Sequence, residues 1–292
     1  MSKLLQRILI FALGIPFIIF IIWLPFFNHI AVHLLICIFS FAGAFELYNM
    51  FEKKYSLLPK WFVLSATVAI PVSGMIYSLI EYFSGKKFSI NSEIYTYALI
   101  AVILLSMFAE LVSAKDFKES NSRISFSSFI ILYCGYLFSF IARLSFFWDE
   151  NYNFTTPLIA CFVLMVFLCD SLAWFFGVLF GKNNRGFIKA SPNKSIAGFF
   201  GGFLGSVCGG IISYFVWPDV YEGSIVKIII IGIIVAFSSI VGDLIESIFK
   251  RSADVKDSGN IVPGRGGALD SIDSLLMSAP IFYLLISIFY KF

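Results

Sequence analysis

VKIIIIGIIVAFSSIVGDLIESIF, residues 226–249, decides the fold class. As a helix rising 1.5 Å per residue it is about 36 Å long, enough to cross a hydrocarbon core of about 30 Å. Its only charged residues, Lys227, Asp243 and Glu246, stand toward its two ends. The same kind of run recurs at 8–27, 30–50, 62–83, 95–113, 125–147, 157–180, 197–217 and 274–290. Composition agrees, with 59% hydrophobic and 13% charged residues in a chain of 292, against about 25% charged in an ordinary soluble domain. A chain this apolar cannot cover its surface with polar groups, so lipid is its solvent for most of its length. The expectation is an all-α, polytopic integral membrane protein with about nine transmembrane helices. It would form one membrane domain over 1–292, with N-terminal helices in 1–156 and the half that bears the chemistry in 157–292.

Only Asn28 and His29 separate the first two runs, which predicts a tight hairpin there. Lys3 and Arg7 ahead of the first run look like the start of a signal peptide. The run is about 20 residues long and lacks a small-residue cleavage site, so it reads as a retained span. With the N-terminus in the cytoplasm, 16 of the 21 Lys and Arg residues fall on the cytoplasmic side, as the positive-inside bias requires. The two longest polar segments, 181–196 and 250–273, then share that face.

The net charge of +3 is small, and no basic run is interleaved with aromatics, which argues against nucleic acid as a partner. Cys37, Cys134, Cys161, Cys169 and Cys208 all lie in apolar stretches without a CxxC and read as small core residues.

Charged side chains are costly within a membrane and tend to be functional. Those of interest are Glu46, Glu81, Glu110, Asp170, Asp243 and Glu246. Glu81 and Glu110 stand near span ends and are expected to reach the headgroups, with Arg143 snorkelling likewise. His29 and His33 lie far from the other polar clusters and read as interfacial rather than catalytic. Asp243 and Glu246 are three apart on one helix face, with Lys250 a turn further along it. Beyond them runs a basic, Gly-rich loop that ends in the carboxylates Asp270 and Asp273. Hard oxygen ligands suit Mg²⁺, which is typically held by one or two carboxylates plus substrate phosphates. Gly-rich backbone can turn its N–H groups toward phosphate, while Lys and Arg neutralise the charge. A basic loop touching anionic headgroups is the plainer alternative, but it leaves the buried acids unexplained.

A second cluster comprises Asp170 to Gly177, Phe180 to Lys182 and Ser191 to Ser195. Gly177 and Gly181, one turn apart, read as helix-packing positions. Asp170 is deep enough to need a partner, Ser195 is placed to cap the next helix, and Lys194 to meet a phosphate.

Ser247-Ile248-Phe249-Lys250-Arg251, then Lys256-Asp257-Ser258-Gly259, then Pro263-Gly264-Arg265-Gly266-Gly267-Ala268-Leu269-Asp270-Ser271-Ile272-Asp273 resembles the signature of the phosphatidate cytidylyltransferase (CDP-diacylglycerol synthase) family. With the second cluster, the resemblance covers 165–292 in motif detail, and Glu46 matches a family Glu in the second span. Three positions depart from it: Arg265 stands where His is common, Ser271 where Arg is, and Ala197 where Glu is usual.

The resemblance implies an enzyme that joins CTP and phosphatidate to give CDP-diacylglycerol and pyrophosphate. It implies Mg²⁺, with or without a second cation, on Asp243 and Asp270, with Glu246 as a further ligand. Lys250, Arg251, Lys256, Asp257, Arg265 and Asp273 would be the catalytic residues. Asp170, Lys194, Ser195, Gly264, Gly266 and Gly267 would bind substrate. The expected location is a bacterial inner (plasma) membrane with the active loops on the cytoplasmic side, in a protein that can form a homodimer. Alternatives are a CTP-dependent lipid kinase, a catalytically inactive family member, or a transporter, the last disfavoured by the lack of an internal repeat.

Overall fold

The computed structural model describes residues 3–86, 93–147, 153–262 and 266–290, the first nine of them as backbone only. Gly264 and Arg265 lie outside the described residues. The elements are α1 (Lys3–Trp23), α2 (Phe26–Phe51), α3 (Lys60–Ser84), α4 (Ile94–Ser113), α5 (Ser120–Ile130), α6 (Ser139–Arg143), α7 (Thr155–Phe180), α8 (Ile196–Val216), α9 (Ile225–Ser252) and α10 (Leu269–Phe289). A π-helical turn, Ile131–Leu137, links α5 to α6, and a 3-10 turn, Leu144–Phe146, ends that span.

Every apolar run read from the sequence is helical, and no named strand occurs among the described residues. Eight of the described spans are long and apolar enough to cross a membrane, and α1 is apolar over Ala12–Trp23. The protein is a multi-pass, all-α membrane protein.

The first connection lies where the sequence suggested, at Asn28 and His29, but it is wider, with a further break just before it. The break falls at Leu24 and Pro25, and α2 begins at Phe26. Pro25 has no N–H to continue the helix and disfavours helical backbone in the residue before it. Phe27, Asn28 and His29 form a left-handed turn inside the α2 span, with φ of 50, 53 and 58°, and Asn28 donates to Ser78 Oγ at 2.7 Å.

By compactness the chain divides into two units, Met1–Phe146 with Ser252–Ile272, and Phe147–Arg251 with Asp273–Phe292. The division splits the signature segment: most of the loop belongs with the N-terminal helices.

The core of the first unit is built on Leu47, Val63, Ile70, Tyr95, Ile130 and Ile131, all fully buried. Its charged residues do not reach for headgroups as expected. Glu110 is buried and accepts from Arg123 Nε at 2.9 Å, Arg123 Nη2 at 2.6 Å and Ser120 Oγ at 2.6 Å. Glu81 is also buried. Arg143, 6% exposed, lies over the rings of Phe140, Tyr136 and Tyr95 at 4.0, 4.7 and 5.0 Å. Glu110 and Arg143 find their partners within the protein, where a low dielectric strengthens such contacts.

In the second unit α7 and α8 touch almost backbone to backbone. Gly198, Gly201, Gly205 and Gly209 recur every three or four residues along one face of α8. A Cβ at Gly201 would stand 2.5 Å from the Leu172 carbonyl oxygen, and one at Gly209 3.0 Å from Met165 Cα. Gly177 and Gly181 are packing positions too: a Cβ there would stand 3.3 and 2.5 Å from Ser195 Oγ. Small residues permit this approach where no hydrophobic force drives helices together. Gly242 does the same for α9 against α10, its Cβ position being 2.6 Å from the Asp273 carbonyl oxygen.

Candidate functional site

Two polar constructions stand out, one in each unit. In the second unit Ser195 caps α8: its backbone is extended (φ −124°, ψ 153°) and its hydroxyl accepts from Gly198 N–H at 3.1 Å. Ile196 N–H donates to the Asn184 carbonyl at 3.1 Å, which folds the 181–195 loop back on the helix start. Lys194 is thereby aimed at α9, where it meets Asp243 at 2.5 Å. Beside this pair is a cavity of about 400 Å³ lined by Asp170, Trp174, Gly177, Arg185, Lys194 and Asp243. Arg185 donates to the Gly177 carbonyl at 3.2 Å.

Further along the face of α9, Glu246 is fully buried and ion-paired with Lys250. Asp273 is buried on α10, accepts from Ser274 N–H at 2.7 Å, and lies within electrostatic reach of Asp243, Asp170 and Lys250. Asp170, Asp243, Glu246 and Asp273 thus share one region with Lys194, Lys250 and Arg185.

Such a region suits a hard divalent cation by its carboxylate oxygens. Among the described residues no group of three His, Cys, Asp or Glu side chains is gathered closely enough to hold a metal by itself. That is compatible with Mg²⁺, whose remaining positions are commonly filled by water and substrate phosphate.

The first unit holds the other construction. Glu46 of α2 is 2% exposed and accepts from Ser258 Oγ at 2.8 Å and from the N–H groups of Ala268 and Leu269 at 2.9 Å each. Asp270 Oδ2 accepts from Ser258 N–H at 3.0 Å, Ser258 Oγ at 3.0 Å and Gly267 N–H at 2.7 Å. Val262 and Gly266 exchange both backbone bonds, at 2.8 and 3.0 Å.

The glycines of this loop serve differently from the sequence expectation. The N–H groups of Gly266 and Gly267, expected to face phosphate, are bonded to the Val262 carbonyl and to Asp270. Their contribution is space. Gly266 has φ +118°, and a Cβ there would stand 2.7 Å from Asp270 Oδ2. A Cβ at Gly267 would overlap Ser258 Oγ and Glu46 Oε2.

Arg251, Lys256 and Asp257 are exposed. Asp254 meets Lys54 at 2.7 Å, and that ammonium holds its carboxyl below the usual carboxylate range. Sequence reasoning brought together Asp170, Lys194, Ser195, Asp243 and Lys250, but missed Arg185, Asn184 and Ser258. Ser258 stands beside Gly259 inside the signature, the one local signal that marked it.

A multi-pass membrane protein with acidic and basic side chains gathered at a cavity in one unit, and a Gly-rich loop braced by Glu46 and Asp270 in the other, defines the class, and comparison with known proteins agrees. The chain belongs to the cytidylyltransferase family, whose sequence profile matches residues 5–289, and it is an enzyme of the nucleotidyltransferase class. It is 34% identical over 194 residues to the phosphatidate cytidylyltransferase of Bacillus subtilis (strain 168), covering 66% of this chain and 68% of that protein. The enzyme of that name from Thermotoga maritima is 31% identical over 196 residues, 66% of this chain and 70% of that one. The one from Staphylococcus saprophyticus is 29% identical over 257 residues, 87% and 90% of the two chains.

Proposed function

We propose that the protein transfers a cytidylyl group from CTP to phosphatidate, giving CDP-diacylglycerol and pyrophosphate for phospholipid synthesis. The observation that carries this reading is the charged cavity of the second unit, where Lys194 is set against Asp243 beside Asp170 and Arg185, in a membrane chain of the cytidylyltransferase family. The names of the relatives supply the acceptor.

In this reading a phosphatidate phosphate oxygen attacks the α-phosphorus of CTP. The new P–O bond forms as the α–β bond breaks, and its electron pair leaves with pyrophosphate. The attacking oxygen is already anionic, so little general-base work is needed, and positioning and charge neutralisation dominate. Bound Mg²⁺ would neutralise the triphosphate and the departing pyrophosphate. Asp243 would hold it, with Asp170 and Asp273 of the same unit nearby; the resemblance assigns Asp270 as a further ligand. Glu246, paired with Lys250, would support that set. Lys194 and Lys250 balance these carboxylates and would turn to phosphate oxygens when nucleotide enters. Arg251, Lys256 and Arg265 would hold phosphates from the loop, with Asp257 orienting the neighbouring cations. Arg265 keeps a cation where the family commonly has His, although it cannot shuttle a proton.

The same reading places nine spans in a bacterial plasma membrane, the N-terminus and both polar loops on the cytoplasmic side, in a protein that can form a homodimer. Purified protein with phosphatidate, labelled CTP and Mg²⁺ should release CDP-lipid and pyrophosphate, and chelation should stop both. Phosphorylated lipid with CDP would instead reveal a CTP-dependent lipid kinase. No turnover by folded protein, beside an active relative, would reveal an inactive family member.

A further inference from the structure

We infer that Glu46, far from the signature in sequence, is a positioning residue that fastens the signature loop shut. The inference rests on the cytidylyl-transfer reading for its kinetic consequence, although the fastening itself is structural. A carboxylate in an apolar helix must find partners inside the protein. Those of Glu46 are the Ser258 hydroxyl and the Ala268 and Leu269 N–H groups. All three belong to the loop or to the first turn of α10, and Ser258 is 212 residues away in sequence.

The consequence is a cross-tie. One arm of the loop ends at Ser258 and Gly259, the other begins at Gly267, and Glu46 binds both. The Ser258 hydroxyl stands 2.8 Å from Glu46 Oε2 and 3.0 Å from Asp270 Oδ2, so the two acids clasp the same side chain. Ala268 and Leu269 supply N–H groups from the start of α10, where a helix has no intrahelical acceptors of its own and favours negative charge.

The glycines on either side make the same point sterically. A Cβ at Gly259 would overlap Glu46 Oε1, and one at Gly267 would overlap Glu46 Oε2. Both arms are bare where the carboxylate enters. Val262 and Gly266 tie the arms together as well. Glu46 therefore holds the two described arms of the loop, 256–259 and 267–269, against each other.

Glu46→Gln tests this with little change of shape. The amide replaces one acceptor oxygen by a donor, so it must lose at least one bond to a loop N–H or hydroxyl. The KM for CTP should rise about tenfold, the scale of one lost charge-assisted hydrogen bond, with the KM for phosphatidate unmoved. Hydrogen exchange at Ala268 and Leu269 should quicken, as should trypsin cleavage after exposed Lys256. Ser258→Ala should move the same quantities in the same direction by less, and the double variant should be no worse than Glu46→Gln. A variant with unchanged exchange at Ala268 and Leu269 overturns the clamp, and so does a fall in kcat with both KM values unmoved. If wild-type protein transfers no cytidylyl group, the exchange and trypsin results still decide the clamp, and the failure belongs to the proposed function.

Discussion

Adding one methyl group at Gly205 should loosen the helix pair that lines the cavity. A Cβ there would overlap the Leu168 carbonyl oxygen and stand 2.6 Å from its carbon and 3.0 Å from the Cys169 nitrogen. These are backbone atoms, so no rotamer change relieves the contact. Clearing the overlapped oxygen requires α7 and α8 to separate locally by more than the roughly 0.8 Å that would bring the carbon to an ordinary 3.4 Å. Replacing Gly by Ala inside a helix gains about 1 kcal/mol of propensity. Overpacking typically costs about 1–3 kcal/mol, and more against rigid neighbours. The expected net loss is about 1–2 kcal/mol, or a fall in Tm of about 2–8 °C at this chain size. Gly14→Ala is the control. Nothing lies within 4 Å of a Cβ there, so that change should leave Tm unaltered or raise it. Thermal unfolding of both variants in one detergent makes the comparison, and cytidylyl transfer should fall only in Gly205→Ala, because α7 carries Asp170. A Gly205→Ala protein that melts at or above the wild-type temperature would refute the close packing of α7 on α8.

Arg123→Ala leaves Glu110 buried without its cation, a change that typically costs about 3–5 kcal/mol. Thermal unfolding should show the loss, and Arg123→Met with Glu110→Gln should recover most of it. Ser195→Ala removes the α8 cap and should cost about 1 kcal/mol, read as a small fall in Tm with a larger fall in activity if the cap also aims Lys194. Lys194→Met should raise the KM for CTP while leaving Tm close to wild type, since its partner Asp243 is partly exposed and can be solvated.

The membrane spans were legible because a run such as 226–249 is long and apolar enough to be a helix whatever surrounds it. The turn at Asn28 and His29 is legible in the sequence, whereas hydropathy averages over Pro25, whose missing N–H adds a second break at Leu24 and Pro25. The partner of Glu110 was hidden for a different reason. A cationic headgroup and Arg123 are equally good donors to its carboxylate on paper, and only packing selects Arg123. The face shared by Asp243, Glu246 and Lys250 followed from helical spacing, and the Glu246–Lys250 pair lies along it. That Asp243 meets Lys194 depends on a loop folded by Asn184 and Ser195, which no periodicity encodes. The Gly-rich loop is recognisable as a motif, but packing alone shows that its glycines make room for Glu46 and Asp270 and that the Gly267 amide is given to Asp270. The α8 stripe at 198, 201, 205 and 209 was visible in the sequence and was subsumed in an apolar run.

The most direct test of the account is cytidylyl transfer itself, in wild type and in Asp243→Asn. Each would be purified, checked for monodispersity, and given phosphatidate, labelled CTP and Mg²⁺. The account predicts equal yields of CDP-diacylglycerol and pyrophosphate from wild type, lost on chelation, with turnover reduced at least a hundredfold in the folded variant, as expected when a group that stabilises developing charge is removed. Wild-type turnover that survives in Asp243→Asn, or a wild type that makes a different product from CTP, would contradict it.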